Sequence, residues 1–319
     1  MRPHPGNSKL STGSGLAAIL LWSATFALAR SLSEQVGALT AGASVYLLGG
    51  LCCLLALWRR KSSPGRFRKM PRRYLFGCGF LFILYTALIY SAVGLARDRV
   101  QLLEIALVNY LWPGLTVLLS VPLLGSRTGR GLLPGTALAV SGVFLVMTQG
   151  AHVSWTSFSG HLQSNPLAYL CALVAAVAWA FYSNLTRRWS APDSGGAVEL
   201  FMLATGVVLL TLRLLATEPH SWSVKVVGEV LALAAITTLA YVLWDVALRK
   251  GNLIFVATCS YFTPLLSTLV SCAYLAVTPS PKVWIGCLLV VIGSLLSWRS
   301  VSDQPDAAAT AGPAGATSA

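Results

Sequence analysis

Charged residues are scarce in this chain of 319 residues. Asp, Glu, Lys and Arg together make up 10% of it, whereas hydrophobic residues make up 55%, and the mean hydropathy is +0.70. Soluble domains carry about 25% charged residues. The composition therefore excludes an ordinary globular protein and indicates a polytopic membrane protein.

Catalytic and metal-binding patterns are also missing. The sequence has no glycine-rich phosphate loop, no nucleophile elbow and no His-Glu-x-x-His motif. Two of its four histidines, His152 and His161, share a polar stretch, which is only a weak metal signal. All seven cysteines fall in apolar segments, without metal-ligand spacing, so structural disulfides are not expected. We predict no enzyme activity, no cofactor and no metal site.

Apolar segments, in contrast, are abundant, and most approach the length of about 20 residues that crosses roughly 30 Å of hydrocarbon. We predict ten spans, at 12–30, 38–58, 74–96, 101–124, 131–148, 167–189, 195–215, 225–248, 253–277 and 281–298. The predicted fold class is all-α, an integral membrane protein with ten transmembrane helices. The first segment also resembles a signal peptide, but it has a partner in the second half of the chain, so we interpret it as a retained helix.

The basic residues are distributed unevenly between the predicted loops. With a cytoplasmic N-terminus, 17 of the 23 Lys and Arg lie inside and 6 outside. The positive-inside rule favours this orientation, so we predict a multi-pass protein of the cell (inner) membrane with both termini cytoplasmic. Eight of these residues lie in 59–73, which we interpret as a topology anchor on anionic lipid rather than a nucleic-acid site.

A repeat relates the two halves of the chain. Residues 90–124 aligned without a gap on 241–275 give ten identities, among them Tyr110 with Tyr261. The same offset of 151 relates Gly135 and Gly142 to Gly286 and Gly293, and an offset of 157 relates Trp22 to Trp179. We predict a first five-helix repeat at 1–150, a second at 151–299 and a disordered cytoplasmic tail at 300–319. Halves with five spans each must be inverted, an architecture of secondary transporters.

Two prolines lie at corresponding positions inside predicted spans. Pro113 and Pro264 cannot donate to the carbonyls of Asn109 and Ser260, so each is expected to kink its helix. A carbonyl freed in hydrocarbon needs another partner or a watered cavity. The pair indicates a central site, although a packing kink without ligand contact is the alternative.

Aromatic residues form the second signal. Near span ends they are typical of the headgroup belts, which is our interpretation of Tyr46, Trp58, Tyr74, Trp189, Trp284 and Trp298. Those near mid-span favour a polar cavity, because each buried hydroxyl or indole N–H needs a partner. The candidate substrate-binding residues are Tyr85, Tyr90, Glu104, Asn109, Tyr110, Trp112, Trp179, Tyr182, Tyr241, Trp244, Ser260 and Tyr261.

Ionisable residues inside spans are few, and each is a functional candidate. Glu104 lies near the outward end of the fourth span, where it could attract a substrate ammonium group or carry a coupling proton. The alternative is an interfacial carboxylate paired with Arg97 or Arg99. Asp245 and Arg249 share a helix face and are predicted to form an ion pair at the cytoplasmic end.

The runs Asn109-Tyr110-Leu111-Trp112-Pro113 and Ser260-Tyr261-Phe262-Thr263-Pro264, with the five-plus-five repeat, resemble the drug/metabolite transporter superfamily (EamA-like proteins). The first run, with Glu104 upstream, resembles its aromatic amino acid exporters more particularly. The resemblance covers about 12–298. It implies alternating access around a central cavity and export of aromatic amino acids such as Phe, Trp and Tyr.

Two functions remain open at this point. The first is a secondary transporter exporting aromatic and hydrophobic amino acids, and the alternative is a broad-specificity drug or metabolite exporter. A membrane-embedded enzyme or sensor is disfavoured, because the sequence has neither a catalytic constellation nor an evident output domain. The sequence does not determine the driving force, the ranking of substrates, the resting conformation or the oligomeric state. A monomer is one of the oligomeric states that it allows.

Overall fold

A computed structural model describes residues 5–59, 65–148, 154–190, 195–219, 221–274 and 280–302. Its helices are α1 (Pro5–Val36), α2 (Ala38–Arg59), α3 (Gly65–Arg68), α4 (Gly79–Leu95), α5 (Arg99–Asn109), α6 (Trp112–Leu124), α7 (Leu132–Met147), α8 (Trp155–Ser164), α9 (Pro166–Trp189), α10 (Val198–Leu214), α11 (Val224–Lys250), α12 (Leu253–Cys259), α13 (Phe262–Tyr274) and α14 (Pro281–Arg299). A π-helical segment, Arg73–Cys78, leads into α4. The all-helical class is confirmed within these ranges.

Among the described residues, six helical runs are long and apolar enough to cross a bilayer. They are Ala38–Arg59, Arg73–Leu95, Arg99–Leu124, Pro166–Trp189, Val224–Lys250 and Pro281–Arg299. A seventh follows if Ser8–Thr25 and Leu28–Val36, which meet at a bend of 44°, form one span. Leu132–Met147 and Leu253–Leu269 are shorter apolar helices. The chain is therefore a multi-pass membrane protein.

Helices α7 and α14 pack closely through the repeated glycines. A Cβ atom added at Gly142 would lie 2.6 Å from the Gly286 carbonyl oxygen, and one at Gly135 would lie 2.9 Å from the Gly293 oxygen. The two helices run antiparallel, because the earlier glycine of α7 faces the later glycine of α14. Small residues let helix backbones approach closely in a membrane, where no hydrophobic effect drives association.

Helices α2 and α10 pack in the same manner. A Cβ atom at Gly50 would lie 2.6 Å from the Leu203 backbone nitrogen, and one at Gly206 would lie 2.6 Å from the Leu47 nitrogen. The contact order is again reversed along the chain, so these helices are also antiparallel. Two pairs of helices at corresponding places in the two halves therefore run in opposite directions.

The close contact of α7 and α14 leads to a first prediction. Gly293→Ala is expected to lower the free energy of unfolding by about 1–3 kcal/mol, the usual cost of overpacking, because its Cβ would lie 2.3 Å from the Ala139 nitrogen. Gly228→Ala in α11 is the matched control, since nothing lies within 4 Å of a Cβ there. Thermal unfolding in detergent measures both. Equal melting temperatures would contradict the packing described.

Hydrogen bonds join the loops into two groups, at opposite ends of the bundle. At one end Asn252 N donates to Thr12 Oγ1 (2.9 Å), and Gly129 N donates to Ser300 O (2.6 Å). At the other end Leu39 N donates to Glu218 Oε1 (2.7 Å). The first end carries the loops predicted to be cytoplasmic from the charge count, and the second carries loops predicted to face outward.

Two expectations about connections and the tail need correction. The polar stretch that contains His161 is not merely a loop, because it forms α8. The tail is not irregular from residue 300, because Val301–Ser302 forms a short antiparallel strand (β2) with Arg127–Thr128 (β1). The backbone pairing with β1 holds residues 301 and 302 in place, although the tail has no apolar periodicity. Residues 60–64, 149–153 and 303–319, and with them His152, lie outside the described residues.

Candidate functional site

The centre of the bundle is an assembly of ten aromatic rings, called here the aromatic cluster. Its members are Trp22, Tyr46, Phe82, Tyr85, Tyr90, Trp112, Trp179, Tyr182, Tyr241 and Trp244. Trp179 in α9 contacts seven of the other rings, with centroid distances of 4.5–6.5 Å. Tilted and edge-to-face pairs at such distances each contribute about 0.5–1.5 kcal/mol beyond the burial of their area.

Both halves of the chain supply the aromatic cluster. Helices α1, α2, α4 and α6 come from the first half, and α9 and α11 come from the second. Trp22 and Trp179, which the repeat relates, pack against each other with centroids 6.3 Å apart. Trp244, Tyr182 and Phe82 are fully buried or nearly so. Rings from the first and the second half of the chain therefore pack directly against one another.

Seven of the predicted site residues belong to the aromatic cluster, namely Tyr85, Tyr90, Trp112, Trp179, Tyr182, Tyr241 and Trp244. Sequence reasoning missed Trp22, Tyr46 and Phe82. Tyr46 was assigned to a headgroup belt, which is wrong: its side chain is buried, and its hydroxyl lies 2.7 Å from the Tyr241 hydroxyl. Trp58 and Trp284, in contrast, are exposed, as a belt requires.

The aromatic cluster also carries polar groups. The Trp244 indole Nε1 is buried without a hydrogen-bond partner among the described residues. The Tyr85 hydroxyl lies close to the Asn109 side chain, and Tyr46 and Tyr241 pair with each other. A buried N–H without a partner costs free energy, which a ligand acceptor would recover. Ring faces attract ammonium groups. The site can therefore meet both an apolar ring and its charged end.

Two breaks in the membrane helices lie beside the aromatic cluster. Helix α5 ends at Asn109 and α6 begins at Trp112, and α12 ends at Cys259 and α13 begins at Phe262. Pro113 is the second residue of α6, and Pro264 is the third residue of α13. Tyr110 and Ser260–Tyr261 occupy the breaks themselves.

The two breaks meet in space. Tyr110 and Tyr261 belong to one buried cluster with Ala139 of α7 and Val290 of α14. The Tyr261 hydroxyl lies 2.6 Å from where a Cβ at Gly114 would be. Tyr110, Ser260 and Tyr261 thus form a second group, which lies beside α7 and α14. They are not part of the aromatic cluster.

Glu104 occupies a third place, midway along α5. Its carboxylate accepts a short hydrogen bond from the Tyr169 hydroxyl, and His161 Nδ1 lies 3.0 Å from Oε2. Ser157 donates to Oε1 at 3.4 Å. These partners belong to α8 and α9, so a histidine takes the place of Arg97 or Arg99, which the alternative interpretation of Glu104 had paired with it. Within the described ranges, no three His, Cys, Asp or Glu side chains could hold a metal.

Local sequence explains why Glu104 is held there. Asp98 caps α5 by accepting from Gln101 N at 2.8 Å, a favoured N-cap arrangement. Gln101 Oε1 in turn accepts from Asn165 Nδ2 at 3.1 Å, at the start of α9. This network fixes α5, α8 and α9 to one another at the predicted outward end.

At the opposite end, Asp245 joins three elements. Arg249 Nε donates to Asp245 Oδ2 at 2.8 Å, and Tyr74 of the π-helical segment donates to Oδ1 at 3.2 Å. Ala197 N donates to the Tyr74 hydroxyl at 3.1 Å, just before α10. The ion pair matches the sequence prediction, whereas the assignment of Tyr74 to a headgroup belt is wrong, because Tyr74 is fully buried. π-helical turns occur frequently at functional sites.

Comparison with known proteins gives concordant results. The model of the EamA-like transporter family matches residues 12–148 and 166–299. The chain is 33% identical over 285 residues to the aromatic amino acid exporter YddG of Escherichia coli K12, covering 89% of this chain and 95% of that protein. It is 31% identical over 287 residues to the protein of the same name from Ancylobacter novellus, covering 89% and 95%.

A solved crystal structure agrees with the overall arrangement. Its TM-score is 0.73 at 30% sequence identity, and the match covers 91% of this chain and 97% of that one. The similarity therefore extends over nearly the whole length of both chains.

Proposed function

Because the chain belongs to the EamA-like transporter family, within the drug/metabolite transporter superfamily, we propose that it exports aromatic amino acids from the cytoplasm. Its relatives are membrane transporters and not enzymes, and those most similar are named for aromatic amino acid export. The proposal extends that substrate class to this chain.

The aromatic cluster is the observation that carries the proposal. An aromatic amino acid is a zwitterion with an apolar ring. Stacking between the rings around Trp179 would bind the side chain, and ring faces would attract the ammonium group. The unpartnered Trp244 N–H would meet the carboxylate. Fixed charge is not required at this site, and the members of the cluster are all uncharged.

The proposed mechanism is alternating access between two inverted five-helix repeats, with ten membrane helices and both termini cytoplasmic. It is supported by the antiparallel packing of α7 on α14 and of α2 on α10, and by the two helix breaks, whose prolines lie 151 residues apart. Interrupted helices at corresponding positions of two repeats are typical of transporter binding sites. Rocking of one repeat against the other would separate the rings and open the site to each side in turn.

Efflux from proteoliposomes tests the proposal. Vesicles loaded with labelled phenylalanine are expected to lose it faster than protein-free vesicles. Absence of facilitated efflux would contradict the proposal. Methyl viologen and quaternary cations identify the alternative, since they would compete strongly only with a broad-specificity drug or metabolite exporter.

Glu104 yields a separate prediction about coupling. Glu104→Gln is expected to keep the parent's pH dependence of efflux, because the described partners of Glu104 lie on α8 and α9 rather than in the aromatic cluster. The measurement is the initial rate of efflux at two pH values. Loss of the pH dependence in this variant would instead assign the coupling proton to Glu104.

A further inference from the structure

Helix α8 has three sides of different chemistry. Trp155 and Leu162 are seven residues apart, which is close to two turns, so they lie on one side, and both are exposed, Trp155 by 80%. A second side carries Ser157 and His161, four residues apart, which contact Glu104 of α5. The third side is polar and exposed, and its residues are Thr156, Gly160 and Gln163. Apolar, protein-facing and polar residues are therefore separated around the helix.

Contacts with three spans fix the depth of α8. Directly after its C-terminus, Asn165 Nδ2 donates at 2.9 Å to the carbonyl of the last residue of α4. Farther along α8, His161 contacts Glu104, which lies five residues, or about 7.5 Å, beyond the start of α5. The Phe158 ring lies 5.4 Å from the Tyr169 ring, near the start of α9. Helix α8 thus lies beside the outward ends of these spans and does not project away from them.

The lipid-facing surface of α9 begins immediately after α8. Only Asn165 separates the two helices. Helix α9 is long and apolar enough to span the bilayer, and it exposes Leu167, Leu170 and Val174 at the spacing of one helix side. Exposed apolar residues of a span face lipid, and Trp is enriched at the headgroup level where such a surface ends. The exposed apolar side of α8 therefore occurs where the lipid-facing surface meets the membrane interface.

We propose that α8 is an interfacial helix that binds the phospholipid surface at the outward end of the protein. Trp155 and Leu162 enter the boundary between headgroups and acyl chains, while the polar side around Gln163 faces water. Amphipathic helices of this kind bury their apolar side about 5–10 Å deep, which matches the depth of Glu104 beyond the start of α5. Removal of two apolar side chains from water favours this position. The proposal does not depend on which substrate the protein transports.

Two adjacent residues allow a matched test. Leu162 and Gln163 are both exposed, but they lie on the apolar and the polar side of α8. Leu162→Cys and Gln163→Cys, made in a full-length protein whose seven native cysteines are replaced, each carry a bimane label in phosphatidylcholine nanodiscs with one copy per disc. Doxyl-labelled lipid is expected to quench the label at 162 more than the label at 163. Iodide is expected to quench the label at 162 about tenfold less, a ratio that corresponds to about 1.4 kcal/mol of docking free energy.

A second variant tests the role of Trp155 as the anchor of α8. Trp155→Ser is expected to raise iodide quenching of the label at 162, because the larger of the two apolar side chains is lost. Trp284→Ser removes another exposed Trp, from α14, and should leave that quenching unchanged. Gel filtration establishes that each labelled protein is folded before quenching is compared.

The proposal is overturned if iodide quenches the two labels equally, or if doxyl-labelled lipid does not distinguish them. Protection of the label at 162 from iodide that appears only in discs holding two copies would also overturn it, because a second copy of the chain would then cover the apolar side. Protection in discs with one copy, together with quenching by doxyl-labelled lipid, would support binding to the phospholipid surface.

Discussion

Trp179→Ala is expected to reduce efflux of aromatic amino acids by about tenfold or more. Trp179 contacts seven other rings, and each aromatic pair contributes about 0.5–1.5 kcal/mol. Loss of about 1.4 kcal/mol of interaction with a bound ring corresponds to a tenfold change. The measurement is the initial efflux rate from proteoliposomes at a substrate concentration below saturation. Trp179→Phe, which keeps a ring, is expected to retain more of the rate.

Two controls accompany this prediction. Trp284→Ala removes the same side chain from α14, where the ring is 58% exposed and outside the aromatic cluster, and should leave efflux close to that of the parent. Gel filtration confirms that Trp179→Ala remains folded, since removal of a buried Trp costs about 3–5 kcal/mol. Equal efflux from a folded Trp179→Ala protein would contradict a role of the aromatic cluster in transport.

Asp245→Ala is expected to lower the free energy of unfolding by about 3–5 kcal/mol, because it leaves Arg249 buried without its counter-charge. It also removes the acceptor for Tyr74, which links the π-helical segment to α11. Thermal unfolding in detergent measures the loss.

The chain supplies a matched control for this ion pair. Arg30 and Glu34 have the same spacing and an N–O distance of 3.0 Å, but their side chains are 53% and 60% exposed. Exposed pairs contribute about 0–1 kcal/mol, so Glu34→Ala should change the melting temperature little. Similar losses of melting temperature in the two variants would contradict the prediction, because burial would then not determine how much the Asp245–Arg249 pair contributes to stability.

The membrane helices could be predicted because long apolar runs are local features of the sequence. The breaks at Tyr110 and Tyr261 were indicated by the prolines that follow them, since a proline acts on its own helix. Helix α8 was missed because it is short and its surroundings are polar. The pairing of Val301 with Thr128 was missed because it depends on two helix ends meeting in space.

The site was predictable only in part, for a related reason. Distance from the end of a span suggested belts for Tyr46 and Tyr74, but the helix face that each occupies is set by packing between helices. Phe82 has no polar group and so gave no signal, although it contacts three of the cluster's rings besides Trp179, namely Tyr46, Tyr182 and Tyr241. Trp22 carried a signal in its repeat partner Trp179. Glu104 was recognised as unusual, but its histidine partner lies 57 residues away in sequence.

Counterflow in proteoliposomes tests the central claim most directly. Vesicles are preloaded with unlabelled tryptophan, and uptake of labelled amino acids is followed with a panel of all twenty at two pH values. We predict a transient accumulation of labelled tryptophan, phenylalanine and tyrosine, because a carrier that alternates between two faces exchanges its substrates. Vesicles of folded protein that accumulate none of the three would contradict the account.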